Sequence, residues 1–333
     1  MSQANKLLIT KFYQALDAAA PDAVGDICTR RLAPDFRWHG GDPFGQTGTP
    51  ATYARTFWEP IKTAIPDLAR QTHIFMAGTS SAREGQAQDG TKWVAATGYF
   101  TGTATTPFLG IPVTDQVLRI RWGEFFRIDD GQITYAQTIL DFVDWFDQIG
   151  HPVLPRPRGA SHVYPAPTGH DGCLFAPQDD LTTGTTLGLG RDFIFGGLNA
   201  FDQTDLGSMG MAKFFHPNVK WYGPGGIGAC LSLREFEELH QQPWLIAFPN
   251  RKVMYLESLF AEDTMLAASG PRGVIATQTG PYLGHPPSGN RIEVSGIDFW
   301  RRDGDKFVEN WVFVDMIHLF RQMGVDLFAR LPQ

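Results

Sequence analysis

Two aspartates, Asp141 and Asp315, stand 174 positions apart, each ending a stretch of alternating residues. The stretches are Ile133, Tyr135, Gln137, Ile139, Asp141 and Phe307, Glu309, Trp311, Phe313, Asp315. A period of two puts each carboxylate on the face of its large apolar neighbours, which we expect to line a cavity. Burial there disfavours the charged form and raises the pKa, as a proton-abstracting base requires. The same position would also serve as a helix cap, because a short apolar segment closing in Gln148-Ile149-Gly150 or Gln322-Met323-Gly324 follows. The preceding stretches carry a second matched pair of acids, Glu124 among Leu118, Ile120, Trp122 and Phe126, and Asp298 among Ile292, Val294 and Trp300. An acid in an apolar row is costly unless it is paired or faces a wet cavity.

Around these acids stand further candidates for substrate contact. His39 follows Trp38 and Tyr222 follows Trp221, each just before a glycine-rich turn, as a pocket rim or as turn packing. His285 sits in Leu283-Gly284-His285-Pro286-Pro287, and His318 comes three residues after Asp315, close enough to share a helix face with it. Glu309 and Trp311 accompany Asp315, whereas uncharged Tyr135 and Gln137 accompany Asp141. The second copy is therefore the expected active one. Asp315 would be the base there, with Asp298 or a histidine stabilising an enolate oxygen. His73, His151, His216 and His240 read as ordinary, and His162 and His170 as solvated loop residues. No spacing suits a metal, and neither a phosphate loop nor a nucleophile elbow occurs, so no metal or other cofactor is expected.

The elements that must position these residues occur twice, in the same order. Leu8, Phe12 and Leu16 mark an opening helix, and Asp22 to Leu32 a second. An extended piece follows through Phe36 and Trp38, then a helix capped at Thr49-Pro50, then four strands ending at Asp141. Pro34/Pro217, Trp38/Trp221, Tyr53/Phe236 and Pro60/Pro243 all lie 183 apart, and the same offset carries Thr49 onto Ser232, a second helix cap. From Pro107/Pro281 onward the offset is 174, so the second copy is shorter in its middle. Helices followed by antiparallel strands indicate an α+β class, with no βαβ alternation. The expected organisation is a domain over 1–150, a Pro/Gly-rich linker over 151–190 laid across a surface or a cavity entrance, and a domain over 191–333.

The 333 residues suit two cores of about 150 each. Net charge of -7 forms no basic stripe, so nucleic acid is not an expected partner. Cys28, Cys173 and Cys230 are too scattered for a disulfide framework. No apolar run approaches the length of a membrane span and no targeting segment opens the chain, which sets a cytoplasmic location as the expectation.

The ordered set resembles SnoaL-like domains, the polyketide-cyclase branch of the nuclear-transport-factor-2-like (NTF2-like) superfamily. It comprises the glycine-rich turn after a Trp, Pro107-Phe108-Leu109-Gly110-Ile111-Pro112, Phe125-Phe126-Arg127-Ile128-Asp129-Asp130-Gly131-Gln132-Ile133 and Asp141 with Gln148-Ile149-Gly150. The second copy resembles them through Gly280-Pro281-Tyr282-Leu283-Gly284, Glu309-Asn310-Trp311 and Asp315. This resemblance implies two cone-shaped curved-sheet barrels in tandem. It implies an aspartate acid/base at Asp141 or Asp315, and sheet-to-sheet pairing, within the chain or in a homodimer. The implied activity is cofactor-free acid/base chemistry on a hydrophobic or polycyclic carbonyl compound, an aldol closure or isomerisation. The alternative is a small-molecule binding protein without catalysis.

Overall fold

Apolar residues at helical spacing begin the chain: Ile9, Phe12, Tyr13 and Leu16 are the buried side of α1 (Ser2–Ala18). The computed structural model describes residues 2–332 except 86, 87, 162, 203 and 206. After α2 (Val24–Arg31) come β1 (Leu32–His39) and β2 (Gln46–Thr47). Thr49 then caps α3 (Pro50–Tyr53), its hydroxyl accepting from the Thr52 amide at 3.1 Å. A wide π-turn over Ala54–Trp58 leads into α4 (Glu59–Ala64). Four long strands follow, β3 (Ala69–Thr79), β4 (Lys92–Thr103), β5 (Val117–Asp129) and β6 (Gln132–Leu140), and α5 (Phe142–Gln148) closes the copy.

Residues 151–179 hold neither helix nor strand among those described, and α6 (Asp180–Arg191) starts the second copy. It continues with β7 (Phe215–Tyr222), β8 (Ala229–Cys230) and α7 (Leu233–Glu235), capped by Ser232. A matching π-turn over Phe236–Gln241 leads into α8 (Gln242–Ala247). Then come β9 (Lys252–Tyr255), β10 (Ser258–Glu262), β11 (Met265–Thr277), β12 (Arg291–Asp303), β13 (Lys306–Val314) and α9 (Met316–Gln322).

The first sheet runs β2-β1-β6-β5-β4-β3 and the second β8-β7-β13-β12-β11-β10, with β9 also on β11. All pairings are antiparallel except β1 with β6 and β7 with β13. Each sheet is an open, curved cone over its helices, so two NTF2-like α+β domains stand in tandem, as the resemblance implies.

One feature of the last strands overturns the faces expected from alternation. In the first sheet Arg127 pairs with Tyr135 but Ile128 with Ile133; in the second Arg301 pairs with Glu309 but Arg302 with Phe307. Thr134 and Val308 are thus bulged, and past a bulge the alternation inverts. Ile133, Ala136 and Leu140 enter the first domain's core, and Phe307 and Val312 the second's. Tyr135, Ile139, Trp311 and Phe313 turn outward, where the sheets pack against each other. Phe125 and its repeat counterpart Phe299 meet there with ring centroids 5.6 Å apart. Asp141 and Asp315 accordingly face the junction between the domains, not a cavity.

Candidate active site

The second domain encloses a cavity of about 200 Å³ between its helices and its sheet. Comparing the copies position by position explains the space. Phe100 pairs with Arg70 and Ile120, and the corresponding Val274 pairs with Val253 and Val294. On the same register Trp122 becomes Gly296, and at the 183 offset Trp58 becomes Gln241. Large side chains filling the first interior, with Trp58, Phe100 and Trp122 at 1% exposure or less, are replaced by small ones in the second. A bulge widens the wall further: Pro271, Arg272 and Gly273 of β11 stand opposite Ser295 alone, between the pairs Gly270–Gly296 and Val274–Val294.

Asp298, His240 and Arg251 are the acidic and basic side chains among the described residues that line this cavity. Asp298, from the middle of β12, lines it and is half-buried. Burial pushes its carboxyl up to about 7, a hydrogen bond from Asn310 opposing the rise. Asn310 is fixed by donating to the Phe299 carbonyl at 2.9 Å. His240 comes from the π-turn, a register that brings an extra residue inward. It stacks on Trp221 with centroids 4.2 Å apart at 18°, and its Nδ1 has no hydrogen-bond partner. Burial, reinforced by the charge of Arg251, lowers its pKa to about 3, so the imidazole is neutral. Arg251, between α8 and β9, is 8% exposed, and burial draws it down to about 10.

The counterpart of Asp298 is spent on structure. Glu124 is fully buried, accepting from Tyr13 Oη at 2.8 Å, Thr138 Oγ1 at 3.0 Å and Arg70 Nη1 at 3.4 Å. Trp38 lies in the same interior, its Nε1 donating to Thr138 at 3.0 Å.

Of the remaining expected site residues, only Trp221 lines the cavity. Asp315 caps α9, accepting from the His318 amide at 2.9 Å, and crosses to the first domain to accept from the Asp42 amide at 2.7 Å. Asp141 does the reciprocal thing: it caps α5 and accepts from the Gly225 amide of the second domain at 3.0 Å. Asp42 and Gly225 are themselves 183 apart. His318 joins this junction, its Nδ1 3.3 Å from Asp42, whose hydrogen bond raises the imidazole pKa. His39, hydrogen-bonded to Gln46 at 3.1 Å, has its pKa lowered to about 4, first by burial and then by His318.

Glu309 and Trp311 hold the linker instead of a ligand. Glu309 accepts from Thr168 Oγ1 at 2.7 Å, Trp311 Nε1 donates to the Pro165 carbonyl at 3.0 Å, and Tyr222 packs on Tyr164 at 5.1 Å. His285 bonds the Leu283 carbonyl at 3.0 Å and Arg330 at 2.8 Å beside the last turn of chain. The bulges explain these outcomes, because the odd-numbered face of β13 looks away from the cavity. His162 lies outside the described residues.

Sequence reasoning passed over His240 and Arg251. The 183 offset maps them onto Phe57 and Leu68, so polar groups replace two apolar positions of the first copy. That replacement was the available signal.

Fold and cavity define a SnoaL-like class of protein, and sequence comparison agrees. The family profile of SnoaL-like polyketide cyclases matches residues 7–149 and again 199–323. The chain belongs to the SnoaL-like polyketide cyclase family, with two family domains in one polypeptide. Similar solved structures include a SnoaL-like protein from Jannaschia sp. CCS1, at 15% identity, covering 45% of this chain and 99% of that one with a TM-score of 0.38. AclR from Streptomyces galilaeus is 23% identical, covering 45% and 89% with a TM-score of 0.35. An NTF2-like protein from Burkholderia thailandensis E264 is 18% identical, covering 41% and 96% with a TM-score of 0.33. Comparison with curated proteins gave no match. Among the described residues, no helix is long and apolar enough to cross a membrane.

Proposed function

We propose that the second domain carries out cofactor-free acid/base chemistry on a hydrophobic carbonyl compound, of the enolisation, isomerisation or aldol type, with Asp298 as the proton-transferring group. The observation that carries this reading is a carboxyl that burial pushes up to about 7 in an aromatic cavity, with no ion-pair partner among the described residues. A carboxyl with that pKa is half ionised near neutrality, so it can take an α-proton and return it. The flat surfaces of Trp221, Trp244 and Trp300 suit a ring-bearing substrate. Neutral His240, with its unpartnered Nδ1, is the group available to hydrogen-bond the oxygen on which enolate charge develops. Asp315, committed to a helix cap and to the Asp42 amide, gives up the role of base to Asp298.

The test needs no knowledge of the natural substrate. Exchange of the α-protons of 2-tetralone in D₂O, followed by NMR, should be faster with the protein than in buffer. Asp298→Asn should lower that acceleration by at least about 100-fold. An unaccelerated exchange, or one that survives Asp298→Asn, would overturn the proposal. Binding of the ketone without exchange would favour the binding-protein alternative.

A further inference from the structure

Charged side chains are rarely taken out of water without a partner. The other arginines with deeply buried side chains obey this. Arg70 faces Asp17 at 3.1 Å and Glu124 at 3.4 Å, and Arg121 faces Asp141 at 3.0 Å. Arg251 does not: among the described residues no carboxylate pairs with it, although it is 8% exposed. The residues left undescribed contain no acidic side chain.

Its hydrogen bonds are equally incomplete. Nη2 donates to the Leu198 carbonyl at 2.9 Å and touches Met209 Sδ. The guanidinium lies 5.4 Å from the Phe201 ring centroid. Nε and Nη1 have no acceptor within the described protein. The residue lines the cavity next to His240, whose Nδ1 is also unpartnered. Among the described residues no ion pair joins it to Asp298, the acidic side chain of the same cavity. The first copy has Leu68 at the matching position, so the cation belongs only to the copy with the open cavity.

We infer that Arg251 is the anion-binding group of the cavity, and that the ligand of this domain is a ring-bearing carboxylic acid whose carboxylate accepts a hydrogen bond from its guanidinium. Because each edge of the guanidinium includes the occupied Nη2, a carboxylate here accepts a charge-assisted hydrogen bond from one free donor, Nε or Nη1, rather than a two-pronged one. A carboxylate seated there would leave the rest of the molecule against the tryptophans, with its reactive carbon toward Asp298. The inference uses the same cavity as the proposed function but does not depend on proton transfer occurring there.

The probes are 2-naphthoate and its methyl ester, which share a ring system and differ in charge. Binding to the full chain is followed by tryptophan fluorescence and calorimetry. The acid should bind at least about tenfold more tightly than the ester, in line with one charge-assisted hydrogen bond. Arg251→Met should abolish that preference while ester binding persists, and Arg251→Lys should retain part of it. Asp298→Asn should keep the preference or enlarge it, by removing a negative charge from the cavity, even where α-proton exchange is lost, which separates this inference from the catalytic one. Equal affinities for the two probes in the wild-type protein, or binding of neither, would overturn it, and these outcomes do not require any variant to fold.

Discussion

A single carboxyl, Asp298, carries both the proposed chemistry and a cost. Its pKa in the folded protein is about 7, against 3.8 for the unperturbed group. Between these values the folded state holds a proton that the unfolded state has lost. Stability contributed by this group is therefore complete below the lower value and declines as pH rises towards about 7, then stays flat. Asp298→Asn removes the decline. The variant's stability relative to wild type should therefore rise by roughly 2 kcal/mol between pH 5 and pH 8, discounting for water in the cavity. A difference that does not grow between those pH values would show that the carboxyl is not desolvated. The same ionisation should appear in the exchange reaction, with the rate rising through about pH 7 as the base becomes charged.

The strand elements decide which copy is open. Gly296 occupies the register of Trp122, and a Cβ placed there meets only the Phe313 carbonyl, at 3.3 Å. Gly296→Leu should thus project into the empty space once the Phe313 carbonyl yields by a few tenths of an ångström, and burying a new apolar side chain favours folding. Binding of 2-naphthoate should weaken by at least about tenfold while the melting temperature holds or rises. Unchanged affinity would place the ligand elsewhere. Bulges at Thr134 and Val308 act at the same scale, turning Trp311 and Glu309 from cavity lining into anchors for the linker.

Across the whole molecule, the two domains are tied by reciprocal contacts at equivalent positions. Asp141 accepts from Gly225, and Asp315 from Asp42. The first tie has an added cation: Arg121 Nη1 donates to Asp141 at 3.0 Å and to the Gly223 carbonyl at 2.8 Å, while Nη2 reaches the Val312 carbonyl at 3.2 Å. Both partners of the ion pair have side chains 3% exposed. Removing one charge of such a pair strands the other, a loss of about 3–5 kcal/mol. Arg121→Met should therefore lower the thermal unfolding midpoint strongly, whereas removal of the exposed Arg234–Glu238 pair should hardly be felt. Equal midpoints for the two variants would mean that the junction is not what holds the domains together.

Much of this architecture was legible in the chain itself. Helix caps, paired prolines and tryptophans, and two constant offsets encode local structure twice over, whereas the parallel pairing of the first strand of each copy with its last is a long-range contact. Cavity position was legible only in part. Asp298 could be matched to Glu124, but whether either acid was paired depended on Tyr13 and Arg70, which arrive from α1 and β3. Alternation along β6 and β13 misled because a bulge changes parity by one residue without changing composition, and it exists only as a relation between two strands. The aspartates ending those strands were visible as candidate caps or candidate bases. Only the packing of one sheet on the other, which brings Asp42 and Gly225 within hydrogen-bond reach, decided that they clasp the domains.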